Sequence, residues 1–237
     1  MALSLIKALL FDVFGTVVDW RGSIAREMAE FGRAKGITQD WEAFADAWRA
    51  LYQPAMEKVR SGAAAWIRLD ELHRQNLNVL LPRFGLEGLS AADLDHVNRA
   101  WHRLDPWPDA VAGLTRLKSR YIIATLSNGN IALMVNMAKR AGLPWDAILG
   151  AEIAQSYKPQ PETYLKSVEC LGLNPEQCLM VAAHNGDLVA ASRCGMRTAF
   201  VLRPTEHGPR QTTDLRAEHA FDAVARDFID LAEQLGC

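Results

Sequence analysis

The chain has 237 residues, of which 49% are apolar and 23% charged, as is typical of a globular protein with a sizeable core. Its formal net charge of −2 at pH 7 excludes the strongly basic surface expected of a protein that binds nucleic acid or an anionic membrane. The apolar N-terminal segment is short and interrupted by Lys7, so it predicts neither a signal peptide nor a membrane helix. Cys170, Cys178, Cys194 and Cys237 have no CxxC spacing, and we expect reduced thiols in a cytoplasmic protein.

The first predicted strand covers residues 6–11, which are apolar apart from Lys7, and it ends at Asp12. A run of this kind indicates a strand that is buried on both faces. Gly15 and Thr16 then turn the chain, and ligands of a doubly wound sheet bind at this end of its strands. Asp12 is therefore a candidate nucleophile on a rigid element, and the alternative is a carboxylate that only caps the turn.

Helical periodicity dominates from residue 18 to about residue 104. Pro54 is expected to end or bend the second helix, and Ser90, followed by Asp93, is expected to cap the last one. The predicted helices cover residues 22–35, 41–52, 65–81 and 90–103. Much of the chain's tryptophan lies in this region, at Trp20, Trp41, Trp48, Trp66 and Trp101.

The prolines at 106 and 108 end the helical pattern, and strands then alternate with helices to the C-terminus. The predicted strands cover residues 121–126, 148–151, 177–182, 197–201 and 221–224. The helices between them cover residues 110–118, 131–141, 161–172 and 187–194. This alternation predicts an α/β fold with a doubly wound, Rossmann-like parallel sheet. We expect a core domain of residues 1–17 plus 105–237 and an inserted α-helical cap domain, residues 18–104, over the active-site crevice.

Polar side chains follow four of the predicted strands. Because the carboxyl ends of parallel strands meet at one edge of a sheet, these side chains are expected to converge. They are Asp12 and Thr16, Ser127 and Asn128, Lys158, and His184 with Asp187. Each motif alone is a common turn, so the signal lies in the whole set and its order.

This set resembles the haloacid dehalogenase superfamily, with a DxxGT motif at residues 12–16 followed by Ser127, Lys158 and Asp187 as the second, third and fourth motifs. The resemblance covers essentially the whole chain, including the helical insertion after the first motif. Most members of the superfamily are phosphatases, so the branch has to be decided from the chemistry of the residues.

A phosphatase of this superfamily needs a second Asp two residues after the nucleophile, to protonate the leaving oxygen. Phe14 stands at that position here. The fourth motif has Ala183 and His184 before its single acid, Asp187, so few hard oxygen ligands are available for Mg²⁺. We therefore expect no metal and no cofactor, and a leaving group that needs no proton, such as a halide.

Within the superfamily, the chain is similar to the type II L-2-haloacid dehalogenases, whose cap carries a Trp-Arg pair that Trp48 and Arg49 match. The resemblance implies that Arg49 stabilises the departing halide in a dry pocket, whereas the alternative is a surface arginine lying over apolar side chains. Tyr164 matches the active-site tyrosine of the family, six residues after Lys158, and the alternative is a tyrosine of the helix core.

Two residues depart from the common pattern of these dehalogenases. Phe14 replaces a tyrosine, and His184 replaces an asparagine of the fourth motif. The resulting Ala-Ala-His-Asn-x-Asp form at residues 182–187 resembles a sub-branch in which some members also act on fluorinated acids. For the other five histidines a structural role is expected.

The predicted reaction converts short 2-haloalkanoic acids to 2-hydroxyalkanoic acids and halide through an ester of Asp12. Lys158 keeps Asp12 ionised, and Asp187, with help from His184, activates the hydrolytic water. The predicted catalytic residues are Asp12, Lys158, Asp187 and Arg49. The predicted substrate-binding residues are Thr16, Ser127, Asn128, Phe14, Trp48, Tyr164 and His184.

Three alternatives stay open at this point. The first is a related hydrolase that opens a strained ring on a small carboxylate, the second is a small-molecule phosphatase, and the third is a non-catalytic binder of small carboxylates. The small haloacid and the halide are the expected partners, without nucleic acid or membrane. The apolar cap helices also offer a surface on which a homodimer could form, so the oligomeric state stays open.

Overall fold

The computed structural model describes residues 2–237, so Met1, the first residue of the predicted core domain, lies outside the described residues. The strands are β1 (Ala8–Phe11), β2 (Val18–Asp19), β3 (Asp105–Pro106), β4 (Ile122–Ser127), β5 (Ala147–Gly150), β6 (Cys178–Ala182), β7 (Arg197–Val201) and β8 (Ala223–Ala225). The α-helices are α1 (Trp20–Lys35), α2 (Trp41–Ala50), α3 (Tyr52–Arg60), α4 (Leu69–Leu80), α5 (Ala91–Asn98), α6 (Ala110–Lys118), α7 (Ile131–Ala141), α8 (Ala151–Ala154), α9 (Pro161–Cys170), α10 (Asn185–Arg193) and α11 (Phe228–Gln234). Short 3₁₀ helices cover Ala2–Leu5, Pro82–Phe84, Arg99–Arg103 and Pro175–Gln177.

Six of these strands form one parallel sheet, in the order β5-β4-β1-β6-β7-β8. Strand β1 lies in the interior of the sheet, and all four of its residues are fully buried, as its apolar sequence predicts. Leu9 and Phe11 belong to one apolar cluster, which includes residues of α6 and α11. Ala8 and Leu10 belong to a second cluster, with residues of α9 and α10. Helices therefore cover both faces of the sheet, which confirms the predicted doubly wound α/β fold.

The register of the sheet brings the predicted motifs to one edge. Phe11 pairs with Thr125 on one side and with Val181 on the other. The residues that follow these strands therefore leave the sheet side by side, because parallel strands in register end at the same level. Asp12 is the first of them.

Helices α1–α5 lie between β1 and β4 along the chain. Ser90 is the N-cap residue of α5, as predicted. Its hydroxyl accepts a hydrogen bond from the Asp93 N–H, and the Asp93 carboxylate accepts one from the Ser90 N–H. The expected helix end at Pro54 is wrong: α2 ends at Ala50, and Pro54 lies in the first turn of α3. An N–H in that turn has no partner within its own helix, so proline is tolerated there.

The predicted helix at residues 65–81 begins later than expected, at Leu69. Arg68 has an extended backbone, and Trp66 lies against the ring of Tyr157, with 4.8 Å between the ring centroids. A contact with a distant segment of the chain therefore replaces the helical turn that the apolar spacing suggested.

Residues 18–104 are also not wholly helical. Val18–Asp19 pairs antiparallel with Asp105–Pro106, and two residues a strand are too few to leave a periodic signal. Trp107 supports this ribbon, because its backbone N–H donates to the Val17 carbonyl at 3.0 Å and its indole N–H donates to the Gly15 carbonyl at 2.8 Å. The exact division into core and cap at residues 17/18 and 104/105 stays a prediction.

No helix among residues 2–237 is both long and apolar enough to cross a membrane. The four cysteines are free thiols.

Candidate active site

Asp12 lies directly after β1 and is 6% exposed. Its Oδ1 accepts a hydrogen bond from Lys158 Nζ at 2.8 Å, and its Oδ2 accepts one from Thr16 Oγ1 at 2.7 Å. The Nδ1 atom of His184 lies 3.1 Å from the same Oδ2. Burial alone would raise the pKa of Asp12, but Lys158 and then His184 outweigh it and hold this pKa well below its ordinary value. Asp12 is therefore an ionised carboxylate with little exposure to solvent.

The turn after Asp12 requires a glycine at position 15. Gly15 has φ +85°, and a Cβ on it would lie 2.0 Å from Oε1 of Glu206. Both the left-handed backbone and the close approach of a buried carboxylate exclude a larger side chain here.

Lys158 joins the two acids of the predicted motifs. Its Nζ lies 2.8 Å from Asp12 Oδ1 and 2.5 Å from Asp187 Oδ2, and its backbone N–H donates to Asn128 Oδ1 at 2.8 Å. Burial lowers the pKa of Lys158, but Asp12 and Asp187 raise it further, so the ammonium stays charged. The Tyr164 hydroxyl donates to the other oxygen of Asp187 at 2.5 Å.

These contacts do not fit a bound divalent cation. All four carboxylate oxygens of Asp12 and Asp187 already bind side chains of the protein, so a metal ion held by both acids would have to displace them. These side chains are Lys158, Thr16, His184 and Tyr164. Among residues 2–237 there is no group of three or more His, Cys, Asp or Glu side chains with the geometry of a metal site. The reaction derived below therefore contains no metal step.

His184 bridges two buried carboxylates. Its Nδ1 faces Asp12, and its Nε2 lies 2.8 Å from Oε2 of Glu206, a residue that is 1% exposed. The second oxygen of Glu206 accepts a hydrogen bond from the indole N–H of Trp20 at 2.9 Å. Burial lowers the pKa of His184, but Glu206 and Asp12 raise it well above its ordinary value. The resting imidazole is therefore protonated and donates to both acids.

Arg49 occupies an aromatic cage in the cap. Its guanidinium carbon lies 4.2 Å from the ring centroid of Tyr52, 5.2 Å from that of Trp20 and 6.0 Å from that of Phe14. Its Nη1 is buried and has no hydrogen-bond partner among the described residues. A buried N–H donor without a partner costs about 1–3 kcal/mol, so this donor favours a bound anion.

A cavity of about 650 Å³ brings together most of the residues predicted from the sequence. It is lined by eight of them: Asp12, Phe14, Arg49, Asn128, Lys158, Tyr164, His184 and Asp187. We call it the active-site cavity.

The other three predicted residues do not belong to the lining of this cavity within the described chain. Thr16 is fully buried behind Asp12 and orients it. The Ser127 hydroxyl accepts a hydrogen bond from the Gly129 N–H at 3.0 Å. Trp48 lies in the interior of the cap, where its indole N–H donates to the His73 carbonyl at 3.0 Å.

The two residues that hold His184 in place from behind have no counterpart in the sequence prediction. Glu206 lies in the polar loop after β7, and Trp20 begins α1. The only available signal was His184 itself, a basic side chain at a strand end that needs an acidic partner. The loop at residues 203–218 contains three candidates, Glu206, Asp214 and Glu218, with no periodic pattern to choose among them.

The comparisons with known proteins agree with this geometry. Residues 6–195 match the family model of the haloacid dehalogenase-like hydrolases. The (S)-2-haloacid dehalogenase 4A of Burkholderia cepacia is 30% identical over 204 residues, which are 84% of each protein. The structure of a defluorinating L-2-haloacid dehalogenase is 50% identical, with a TM-score of 0.96 over 98% of this chain and 96% of that one.

A further structure carries a covalently bound ligand. It is the L-2-haloacid dehalogenase of Xanthobacter autotrophicus with covalently bound chloropropionic acid, which is 26% identical and has a TM-score of 0.79 over 98% of each chain. The family model covers well over half of this chain, and the relatives match it over most of their length. The chain therefore belongs to the haloacid dehalogenase-like hydrolases, in the branch that contains the L-2-haloacid dehalogenases.

Proposed function

We propose that this protein is a hydrolytic (S)-2-haloacid dehalogenase that works through an ester of Asp12. The observation that carries the proposal is an ionised, buried Asp12 facing a cavity in which Phe14 replaces the proton donor of a phosphatase. Halide is a leaving group that departs without a proton, so the missing acid costs such a reaction nothing. The relatives named for (S)- or L-2-haloacids support the same substrate class.

In the first step a carboxylate oxygen of Asp12 attacks the α-carbon from the side opposite the halogen. A carbon–oxygen bond forms as the carbon–halogen bond breaks, and the configuration of the carbon inverts. Asn128 and Lys158 line the cavity beside Asp12 and supply N–H donors and positive charge for the substrate carboxylate. Arg49 lines the same cavity and receives the halide with its guanidinium.

In the second step His184 activates water. Both oxygens of Asp187 are engaged, by Lys158 and by Tyr164, whereas the His184 imidazole contacts Asp12 directly. Ester formation removes the negative charge of Asp12, which is one of the two charges that raise the pKa of His184. His184 therefore becomes more acidic at this stage, loses its proton to solvent, and is available as a base held in place by Glu206.

The ester is hydrolysed by addition of water to the carboxyl carbon of Asp12. His184 takes a proton from water, and the hydroxide adds to the carboxyl carbon of Asp12. The bond from that carbon to the alkyl oxygen breaks, the alkyl oxygen takes the proton of the hydroxyl group that has just added, and the (R)-2-hydroxy acid leaves. Asp12 returns as a carboxylate with one oxygen from water, and one proton is released to solvent overall. Asp187 is assigned to holding Lys158, rather than to taking the proton.

A single turnover in ¹⁸O-labelled water tests the proposal, with enzyme in excess over (S)-2-chloropropionate. The label is expected in Asp12 and not in the first molecules of lactate. Asp12→Asn is expected to release no halide, and the matched surface variant Asp95→Asn is expected to behave as the wild type. Label that goes directly into lactate would refute the ester. Phosphate release that depends on Mg²⁺, ring opening, or tight binding without turnover would favour the alternative functions.

The halogen is best decided by a direct screen of short fluoro-, chloro- and bromoacids. A relative with 50% identity is described as defluorinating, and we include fluoride among the expected products for this reason. Fluoride release from (S)-2-fluoropropionate or fluoroacetate, measured with an ion-selective electrode, would establish it. Chloride release without fluoride release would restrict the proposal to the heavier halogens.

Oligomeric state, nucleic-acid binding and cellular location are the remaining properties predicted from the sequence. A homodimer, the lack of nucleic-acid binding and a cytoplasmic location are predicted from the sequence and stay predictions. Sedimentation velocity measures the oligomeric state directly, and a monomer at micromolar concentration would exclude a stable homodimer.

A further inference from the structure

A second cavity lies next to the active-site cavity. It has a volume of about 520 Å³, and its lining includes Arg49, His184 and Glu206. It reaches the protein surface at exposed residues, of which Asp46, Ala50 and His207 do not line the active-site cavity. We call it the rear cavity.

The two cavities share a wall. Arg49, Tyr52 and Gln53 of the cap and His184 of the core line both of them. The wall therefore contains the group assigned to the halide and the group assigned to the water. The active-site cavity has its own surface residues, which include the exposed Glu57 and Pro159.

We propose that the rear cavity is a second route to the reacting atoms, through which the halide leaves and the hydrolytic water enters while the organic part of the substrate is still bound to Asp12. This inference rests on the proposed function. The ligand of the rear cavity is then the halide ion. Halide and water pass between the two cavities at the side chains that line both of them.

The direction of the displacement supports the halide route. An S_N2 reaction expels the halide on the side of the α-carbon away from Asp12, and the organic group stays attached to Asp12 inside the active-site cavity. The halide is left beside Arg49, whose guanidinium also lines the rear cavity. An exit on that side lets the ion leave before the ester is hydrolysed.

The position of His184 supports the water route. Its Nδ1 lies 3.1 Å from Asp12 Oδ2, so the imidazole is next to the carboxyl group that water attacks in the ester stage. The same ring lines the rear cavity, with Glu206 behind it. Water that comes from this side does not have to pass the bound organic acid.

The charges along the route are compatible with an anion. The Asp46 carboxylate at the mouth is paired with Arg21, with 2.7 Å between Oδ1 and the guanidinium Nε. Glu206 is paired with His184. The guanidinium of Arg49 is the cation in the lining of the rear cavity that has an unpartnered donor among the described residues.

Narrowing each cavity separately tests the inference. Ala50→Trp fills the mouth of the rear cavity from an exposed position at the end of α2, and Ala50→Leu fills it less. Glu57→Trp is the matched change at the mouth of the active-site cavity. Rapid quenching followed by intact-protein mass spectrometry gives the amount of ester, and halide release gives kcat and kcat/KM.

We expect Ala50→Trp to lower kcat about tenfold, to leave kcat/KM within about twofold and to accumulate the ester, with Ala50→Leu in between. Glu57→Trp is expected to lower kcat/KM and not kcat. Wild-type kinetics in Ala50→Trp would overturn the inference, and so would a loss of kcat/KM in Ala50→Trp without ester. If the wild type itself releases no halide from any 2-haloacid, the proposed function fails first, which is a separate result.

Discussion

His73 makes the stability of the cap depend on pH in a way that can be calculated. The side chain is 1% exposed and stacks on Trp101 at 4.3 Å between ring centroids. Neither ring nitrogen has a hydrogen-bond partner among the described residues. Burial, aided by the nearby Arg49 charge, lowers the pKa of His73 from 6.5 to about 3. The folded protein therefore keeps this ring neutral at pH values where the unfolded chain protonates it.

Proton linkage gives the sign and the size of this pH dependence of the free energy of unfolding. Below pH 6.5 the unfolded state binds a proton that the folded state rejects, so stability is lost as pH falls from 6.5 towards about 3. With these two pKa values, the loss from His73 between about pH 7.5 and pH 5 is about 2 kcal/mol. His73→Phe keeps an aromatic ring on Trp101 and removes the titration, so this part of the loss should disappear.

Urea unfolding at several pH values between 7.5 and 5 measures the effect. The wild type and His73→Phe should differ by about 2 kcal/mol more at pH 5 than at pH 7.5, in favour of the variant. His219→Phe changes an exposed histidine and serves as the control, with the pH dependence of the wild type. If the wild type and His73→Phe lose stability in parallel, the reasoning from the buried neutral ring is refuted.

Three further predictions concern the reaction. Glu206→Gln removes the negative charge that holds His184 and is expected to slow ester hydrolysis about 10–100-fold, with less effect on ester formation. The ester should then accumulate in rapid-quench mass spectra, and an unchanged ester level would contradict the assignment of His184 as the base. Arg49→Lys loses the planar guanidinium and is expected to lower kcat/KM more for chloroacids than for bromoacids, because bromide is the better leaving group. Equal losses of kcat/KM for the two halides would instead indicate that Arg49 binds the substrate carboxylate. EDTA is expected to leave halide release unchanged in the purified protein, and activity that returns only with Mg²⁺ would contradict the metal-free mechanism.

Local patterns predicted much of the fold and of the nucleophile side of the site. The run before Asp12 is apolar throughout because both faces of β1 are buried, and this makes it recognisable without any partner. Ser90 and Asp93 form their capping box within four consecutive residues. Lys158 and Asp187 each lie after a predicted strand, at or before the start of the next predicted helix. The parallel pairing of the strands then brings both side chains to the Asp12 end of the sheet.

What the sequence could not reveal depends on contacts between distant segments. Trp20 and Glu206 are 186 positions apart, and the loop that carries Glu206 has no repeating pattern. The helical spacing around Trp48 gave its face correctly as apolar, but it could not distinguish the interior of the cap from the wall of the cavity. The same spacing extended the helix before Leu69 into residues whose backbone is irregular.

The small ribbon of β2 and β3 has a consequence for how such proteins diversify. The segment of α1–α5 departs and returns through two paired strands, so its two ends are neighbours about 5 Å apart in one hydrogen-bonded ladder. A recombination event with junctions in this ladder would exchange the lid and its halide-binding arginine as one cassette. Asp12, Lys158 and His184 would be inherited intact from the other parent. Chimeras spliced at these two points can therefore vary leaving-group preference while the esterification chemistry is kept constant.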